Sequence, residues 1–187
     1  MDETQERFER TVGDAFVQWY NQITGAHFSF SARPKEAPDL IYSDGPSALL
    51  IEIGGAYPGK EEAAFWWQNL RKVQNAPQQV SGKDMDESLI ADINRRIEEK
   101  CGKSYGSECL LVVYVHPAMT TAEEVQERLD QIKLPERNPF RAMFLTGHFP
   151  MSSSGSVGGY RCWRLFGKLC PNTSLNLTRG AGAPLAG

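Results

Sequence analysis

Apolar side chains recur every three or four residues between positions 4 and 23, the spacing that lines one face of an amphipathic helix. Gly25 then predicts the end of that helix. Residues 27–31 alternate apolar and polar side chains, which is typical of a half-exposed strand, and residues 40–42 form a second short strand. Residues 48–53 are apolar on both sides except for one acidic position, so they predict a central strand covered on both faces.

Helices and strands alternate in the rest of the chain. Further helices are predicted over residues 61–73, from Asp84 to Gly102 and after Thr120 or Thr121, and further strands over residues 110–115, 142–145 and 160–166. The first three strands are close enough in sequence to form a meander, whereas the fourth strand is reached through helices. The pattern therefore predicts the α/β class, with a central mixed β-sheet flanked by helices on both faces.

The length of 187 residues predicts one domain with one well-buried core. We expect this domain to span residues 1–170, and we expect the residues 171–187, rich in Gly, Ala, Asn and Thr, to form a flexible tail. The longest apolar stretch, residues 110–115, is far shorter than the roughly 20 residues of a membrane span. Because the acidic amino terminus also lacks the order of a secretion signal, we expect a cytoplasmic protein that does not cross a membrane.

The net charge of −3 argues against binding of nucleic acid by bulk electrostatics alone. The charge is unevenly distributed, because residues 133–187 contain seven basic residues and one acidic residue, whereas the first 132 residues carry a net charge of −9. The basic carboxy-terminal segment has two interpretations, a solvated face or a surface that binds the phosphates of a nucleic acid. The acidic remainder suits a protein partner.

Two acidic residues are distinguished by their position on predicted strands. Asp39 follows Pro38 at the start of the second strand, and Glu52 lies within the apolar third strand. Carboxylates on neighbouring strands can lie at the same sheet edge, where they bind Mg²⁺ and leave coordination sites for water and a phosphate. Asp39 is equally well explained as a turn residue after proline. Glu52 needs an exposed edge or a partner, because an unneutralised buried charge is costly.

Pro38-Asp39 and Glu52, together with the order of the elements, resemble the PD-(D/E)XK nuclease superfamily, whose restriction-endonuclease-like core has the order helix, three strands, helix, strand. The resemblance covers approximately residues 6–115. It implies a restriction-endonuclease-like fold and a metal-dependent endonuclease that hydrolyses phosphodiester bonds of DNA or RNA. It also implies Mg²⁺ or Mn²⁺ as cofactor, with Asp39 and Glu52 as ligands.

Other positions match the family less directly. In many members the helix after the third strand supplies a Gln beside the metal site, and Gln68 is the matching position in this chain. Some members also use an acidic residue of the first helix, which implies Glu9 or Glu6 as a further metal ligand. The long predicted helix that ends at Lys100, before Tyr105 and a strand, is another family-like feature.

The chain departs from the family motif at Gly54, where the motif has a lysine two residues after the acidic position. In the family that lysine helps to orient or activate the attacking water and offsets developing negative charge, and glycine can do neither. The resemblance implies a displaced lysine, either Lys72 or Lys60. Lys72 is favoured, because it lies one helical turn beyond Gln68 and can share its face.

The sequence is therefore compatible with three functions. The first is a nuclease with a displaced lysine. The second is a catalytically inactive nuclease-like module that binds a nucleic acid or a protein partner, with Gly54 marking the lost activity. The third is an unrelated α/β domain that binds a small molecule, which would be supported if Asp39 and Glu52 pointed to opposite faces of the sheet.

Overall fold

The computed structural model of the protein describes residues 3–59, 63–64, 68, 85–106, 108–116, 120–149 and 159–169. Within these ranges the elements are α1 (Glu3–Thr24), β1 (Ser29–Ala32), β2 (Leu40–Asp44), β3 (Ser47–Ala56), α2 (Met85–Cys101), β4 (Cys109–Val115), α3 (Ala122–Glu127), β5 (Ala142–His148) and β6 (Tyr160–Gly167). Residues 63, 64 and 68 are also helical. Among the helices described, none has both the length and the apolar character that a membrane span needs.

The six strands described above form one mixed sheet with the order β1-β2-β3-β4-β5-β6. The predicted meander is confirmed, because β2 pairs antiparallel with both β1 and β3. β4 lies parallel to β3, β5 lies parallel to β4, and β6 returns antiparallel to β5. Parallel neighbours need a crossover connection, and α2 and α3 lie within the two crossovers of this sheet.

Helices cover both faces of the sheet. Phe16 of α1 packs on one face in a cluster that includes Ile51 and Ile53 of β3. Ile93 and Ile97 of α2 pack on the other face, and each is fully buried. The prediction of an α/β protein with a mixed sheet between helices is thereby confirmed, and β3 is a central strand, as its apolar sequence indicates.

β3 is longer than its sequence predicts. The pattern predicts a strand over residues 48–53, and this end is wrong, because Gly54, Gly55 and Ala56 continue the strand. These three residues pair in parallel with residues 113–115 of β4. Because the very apolar β4 offers a partner along its whole length, long-range pairing outweighs the weak strand preference of glycine.

The start of α3 is fixed by a capping box. The Thr121 hydroxyl oxygen accepts a hydrogen bond from the backbone N–H of Glu124, and the Glu124 carboxylate accepts one from the backbone N–H of Thr121. Two unpaired backbone donors of the helix end are satisfied in this way. Of the two threonines that the sequence offers as caps, the structure selects Thr121.

Gly13 allows α1 to lie close to β2, and Gly13→Ala is expected to destabilise the protein by about 1 kcal/mol. A Cβ atom at this position would lie 2.4 Å from Leu40 Cδ1 and 2.7 Å from the Tyr42 hydroxyl oxygen. Alanine gains about 1 kcal/mol of helix propensity, but overpacking of a buried contact costs about 1 to 3 kcal/mol. Urea denaturation measures the difference, with Gln18→Ala on the exposed face of α1 as control. A stabilised Gly13→Ala variant would contradict the close approach.

Candidate functional site

Asp39 and Glu52 lie side by side on neighbouring strands. The pairing of Leu40 with Ile51 places Asp39, which directly precedes β2, next to Glu52 of β3. Ile51 and Ile53 belong to the core on the α1 face. Because side chains alternate along a strand, Glu52 points to the opposite face, which α2 covers. Glu52 is only 5% exposed, so its carboxylate is a buried group that requires partners.

Lys100, in the last turn of α2, joins the two carboxylates. Its Nζ atom lies 2.6 Å from Glu52 Oε1 and 4.0 Å from Asp39 Oδ2. Ile97 packs on the sheet one turn before Lys100, so the packing of α2 brings the lysine side chain to the start of β2 and the middle of β3. A single ammonium group therefore contacts both acidic side chains, which excludes the arrangement in which Asp39 and Glu52 point to opposite faces.

Two further hydrogen bonds fix the orientation of the carboxylates. The Tyr105 hydroxyl donates to Glu52 Oε1 over 3.0 Å, the same oxygen that Lys100 contacts. The backbone N–H of Ile53 donates to Asp39 Oδ2 over 2.9 Å. Glu52 Oε2 is buried, and no residue in the described ranges forms a hydrogen bond with it. A buried carboxylate oxygen in this state is the feature of the site that points most directly to a ligand.

The close approach of the carboxylates changes the acidity of Asp39. Burial and the negative charge of Glu52 raise its pKa from 3.8 to about 6, with a smaller contribution from Glu9. The hydrogen bond from Ile53 and the charge of Lys100 act in the opposite direction. Asp39 is therefore ionised at neutral pH, although its environment favours the neutral form. A cation bound beside the carboxylate would stabilise the ionised form.

Asp39→Asn is expected to flatten the pH dependence of stability between about pH 4 and pH 7.5. Because the folded-state pKa of Asp39 exceeds its ordinary value of 3.8, its stabilising contribution is complete below pH 3.8 and is lost as the pH rises through about 6. The loss is about 2 kcal/mol, allowing for the partial exposure of the side chain. Urea denaturation at both pH values measures it, with exposed Asp130→Asn as control. Parallel profiles for Asp39→Asn and wild type would contradict the raised pKa.

Glu9 of α1, an expected metal ligand, is engaged by other side chains. It is 5% exposed and forms an ion pair through Oε2 with Arg33, while its Oε1 accepts a hydrogen bond from Gln5. Arg33 also lies 3.9 Å from Glu6. Glu9 remains close enough to raise the pKa of Asp39. The structure therefore places Glu9 beside the site as part of an ion pair, rather than in contact with Lys100.

The sequence-based interpretation did not assign the lysine of the site to Lys100. Lys72 and Lys60 lie outside the described residues. Gln68 is helical and half-buried, and the described residues include no hydrogen bond between it and Asp39 or Glu52. One signal could have identified Lys100: Asp92, Arg96 and Lys100 form a charged stripe beside the apolar face of α2, and such a stripe lies at the border between core and solvent.

The basic residues on β6 lie at a distance from this site. Arg161 and Arg164 are on β6, at the opposite edge of the sheet from β1. Three strand spacings separate β6 from β3, which corresponds to roughly 14 Å. Arg141, which directly precedes β5, forms an ion pair with Glu108. The basic residues of β6 are therefore not part of the site that Asp39, Glu52 and Lys100 form.

The residues present fit a divalent cation with few protein ligands. Among the described residues there is no group of three or more His, Cys, Asp or Glu side chains that could hold a metal ion. Mg²⁺, however, is commonly bound by one or two carboxylates and completes its coordination with water and substrate oxygens. Asp39 and Glu52, with the buried Oε2 atom of Glu52, meet this smaller requirement. Comparisons of the chain with protein-family models, curated proteins and solved structures find no match.

Proposed function

We propose that this protein is a metal-dependent nuclease of the PD-(D/E)XK type, with a restriction-endonuclease-like core, that hydrolyses phosphodiester bonds with Mg²⁺ or Mn²⁺. The observation that carries the proposal is the position of Lys100, whose ammonium group contacts both Asp39 and Glu52. On this proposal Lys100 takes over the role of the lysine that the motif has at position 54. The order of helix, three-strand meander, helix and parallel strand gives further support.

Asp39 and Glu52 are the residues that would hold the metal ion, Glu52 through its Oε2 atom. A bound Mg²⁺ lowers the pKa of a water molecule and screens the negative charge of a phosphate. The Ile53 N–H keeps Asp39 oriented through Oδ2. Because the pKa of Asp39 is about 6, its carboxylate is available for metal binding mainly above that pH.

Lys100 acts on the water and on the phosphate. Its ammonium group has three N–H donors, and it lies 2.6 Å from a carboxylate oxygen of the proposed ligand Glu52. A water molecule bound beside Glu52 is therefore within reach of Lys100, which can orient it by a hydrogen bond. The positive charge also offsets the negative charge that develops on the phosphate during attack, in a site where low exposure to solvent strengthens the interaction.

The test is a cleavage assay with end-labelled single-stranded DNA, duplex DNA and RNA in the presence of Mg²⁺ or Mn²⁺. The wild-type protein is expected to cleave at least one substrate, and Glu52→Gln is expected to reduce the rate by about 100-fold or more. Glu98→Gln, on the exposed face of α2, serves as the matched control. Cleavage that survives Glu52→Gln would remove Glu52 from the mechanism.

A binding module without turnover is the second candidate, and one observation favours it. Glu52 Oε1 is already satisfied by Lys100 and Tyr105, so part of the charge network is stable without a cation. Calorimetric titration with Mg²⁺ separates the two candidates. Absence of any binding that depends on Asp39 and Glu52, together with absence of cleavage, would favour the module.

A further inference from the structure

Tyr105 lies between the end of α2 and the start of β4. Its ring and its hydroxyl group have different surroundings. Its ring packs against Phe140, with ring centroids 4.6 Å apart. Its hydroxyl donates a hydrogen bond to Glu52 Oε1 over 3.0 Å. A tyrosine hydroxyl carries its proton at neutral pH, so it acts as the donor in this hydrogen bond. The packing holds this donor in one place relative to β3.

The two donors that reach Glu52 converge on the same oxygen. Lys100 Nζ lies 2.6 Å from Oε1, and the Tyr105 hydroxyl approaches that atom as well. The other oxygen, Oε2, is buried and receives no hydrogen bond from any residue that the structure describes. A carboxylate held by two donors on one oxygen cannot rotate freely, since rotation would break both hydrogen bonds in a poorly solvated site.

We propose that Tyr105 is a positioning residue that fixes the Glu52 carboxylate, with Oε1 toward Lys100 and Oε2 free to bind the divalent cation. This inference rests on the proposed function, because it assigns a role toward the metal ion of that site. Groups that hold a metal ligand in its binding orientation commonly change metal affinity 10- to 100-fold when they are removed. Removal of the Tyr105 hydroxyl alone is therefore expected to weaken metal binding.

The experiment compares the Mn²⁺ affinity of wild type, Tyr105→Phe and Tyr42→Phe by isothermal titration calorimetry. Phenylalanine at position 105 keeps the ring that packs on Phe140 and loses only the donor. Tyr42→Phe is a matched control, because the Tyr42 hydroxyl donates a hydrogen bond of 2.7 Å to another carboxylate, that of Asp14. Thermal unfolding of each variant verifies that the fold is kept.

The expected result is a dissociation constant about tenfold higher for Tyr105→Phe, with wild-type affinity for Tyr42→Phe. Equal affinity of wild type and Tyr105→Phe would overturn the positioning role and would leave the proposed function intact. A similar loss in Tyr42→Phe would also overturn it, because the effect would not be specific to Glu52. A wild-type protein that binds no Mn²⁺ would overturn the proposed function, and this inference with it.

Discussion

Lys100→Ala is expected to reduce metal-dependent cleavage by about 100-fold or more, while Lys103→Ala is expected to leave it unchanged. The Lys100 ammonium group is the described cation that contacts both Asp39 and Glu52, whereas Lys103 is exposed beyond the end of α2. Removal of one preorganised donor or charge from a catalytic site commonly costs a factor of about 100 to 1,000 in rate. Single-turnover rates on the preferred substrate measure the effect.

A lysine placed at position 54 is expected to restore part of the lost activity of Lys100→Ala. Among the residues that the structure describes, a Cβ atom at Gly54 would meet Val113 Cγ2 at 3.9 Å, which is an ordinary contact. Position 54 also lies two residues after Glu52 on β3 and so points to the same face. We expect Lys100→Ala/Gly54→Lys to be at least about tenfold faster than Lys100→Ala. Lys100→Ala/Gly54→Met, which adds similar bulk without charge, is the control.

Two outcomes would contradict this account of the lysine. Full activity of Lys100→Ala would show that its ammonium group has no part in catalysis. Equal rates for the Gly54→Lys and Gly54→Met versions of the double variant would show that a lysine charge at position 54 cannot replace that of Lys100.

The second large effect is expected on stability. Lys100→Met is expected to lower the free energy of unfolding by about 3 kcal/mol, because it leaves the Glu52 carboxylate buried without its cation. The side chains of Lys100 and Glu52 are 19% and 7% exposed, so water screens the pair poorly. The double variant Lys100→Met/Glu52→Gln should lose much less than the two single losses combined, with a coupling energy of about 2 kcal/mol.

Urea denaturation at neutral pH without divalent cations measures this double-mutant cycle. The pair of Arg10 and Asp14 provides a matched cycle, because its side chains are 43% and 48% exposed and an exposed pair couples by at most about 0.5 kcal/mol. If the Lys100 and Glu52 substitutions are additive within about 0.5 kcal/mol, the two groups do not form the buried pair seen in the structure.

The hydrophobic pattern of the sequence was sufficient to predict the mixed sheet. The conformational preferences of single residues, however, placed the end of β3 incorrectly. The alternation and the short spacing of the first three strands correctly predicted the meander, and the apolar run around Ile51 correctly predicted a central strand. The end of β3 was missed because Gly54 and Gly55 have weak strand preference. Their conformation depends on pairing with β4, which begins more than fifty residues later in the chain.

The site was predictable only in part, for a similar reason. Asp39 and Glu52 were predictable, because a carboxylate within an apolar strand is costly and because acidic residues near the start of one strand and the end of its neighbour can share a sheet edge. The charged stripe of α2 indicates that Lys100 lies at the border of the core, but its contact with Glu52 depends on how α2 packs against the sheet. The pairing of Glu9 with Arg33 likewise depends on contacts between distant segments. Sequence spacing carries no information on such contacts until the fold is known.

The most direct test of the central claim is an anomalous scattering measurement on crystals of the protein soaked in Mn²⁺. The account predicts a manganese peak bound by the carboxylates of Asp39 and Glu52, with Glu52 Oε2 among its ligands and the Lys100 ammonium group beside it. Crystals of Glu52→Gln should lose that peak. The soak uses a Mn²⁺ concentration far above the metal concentration that magnesium-dependent enzymes need. Under that condition, wild-type crystals with no peak at these carboxylates and with Lys100 still in contact with Glu52 would contradict the claim.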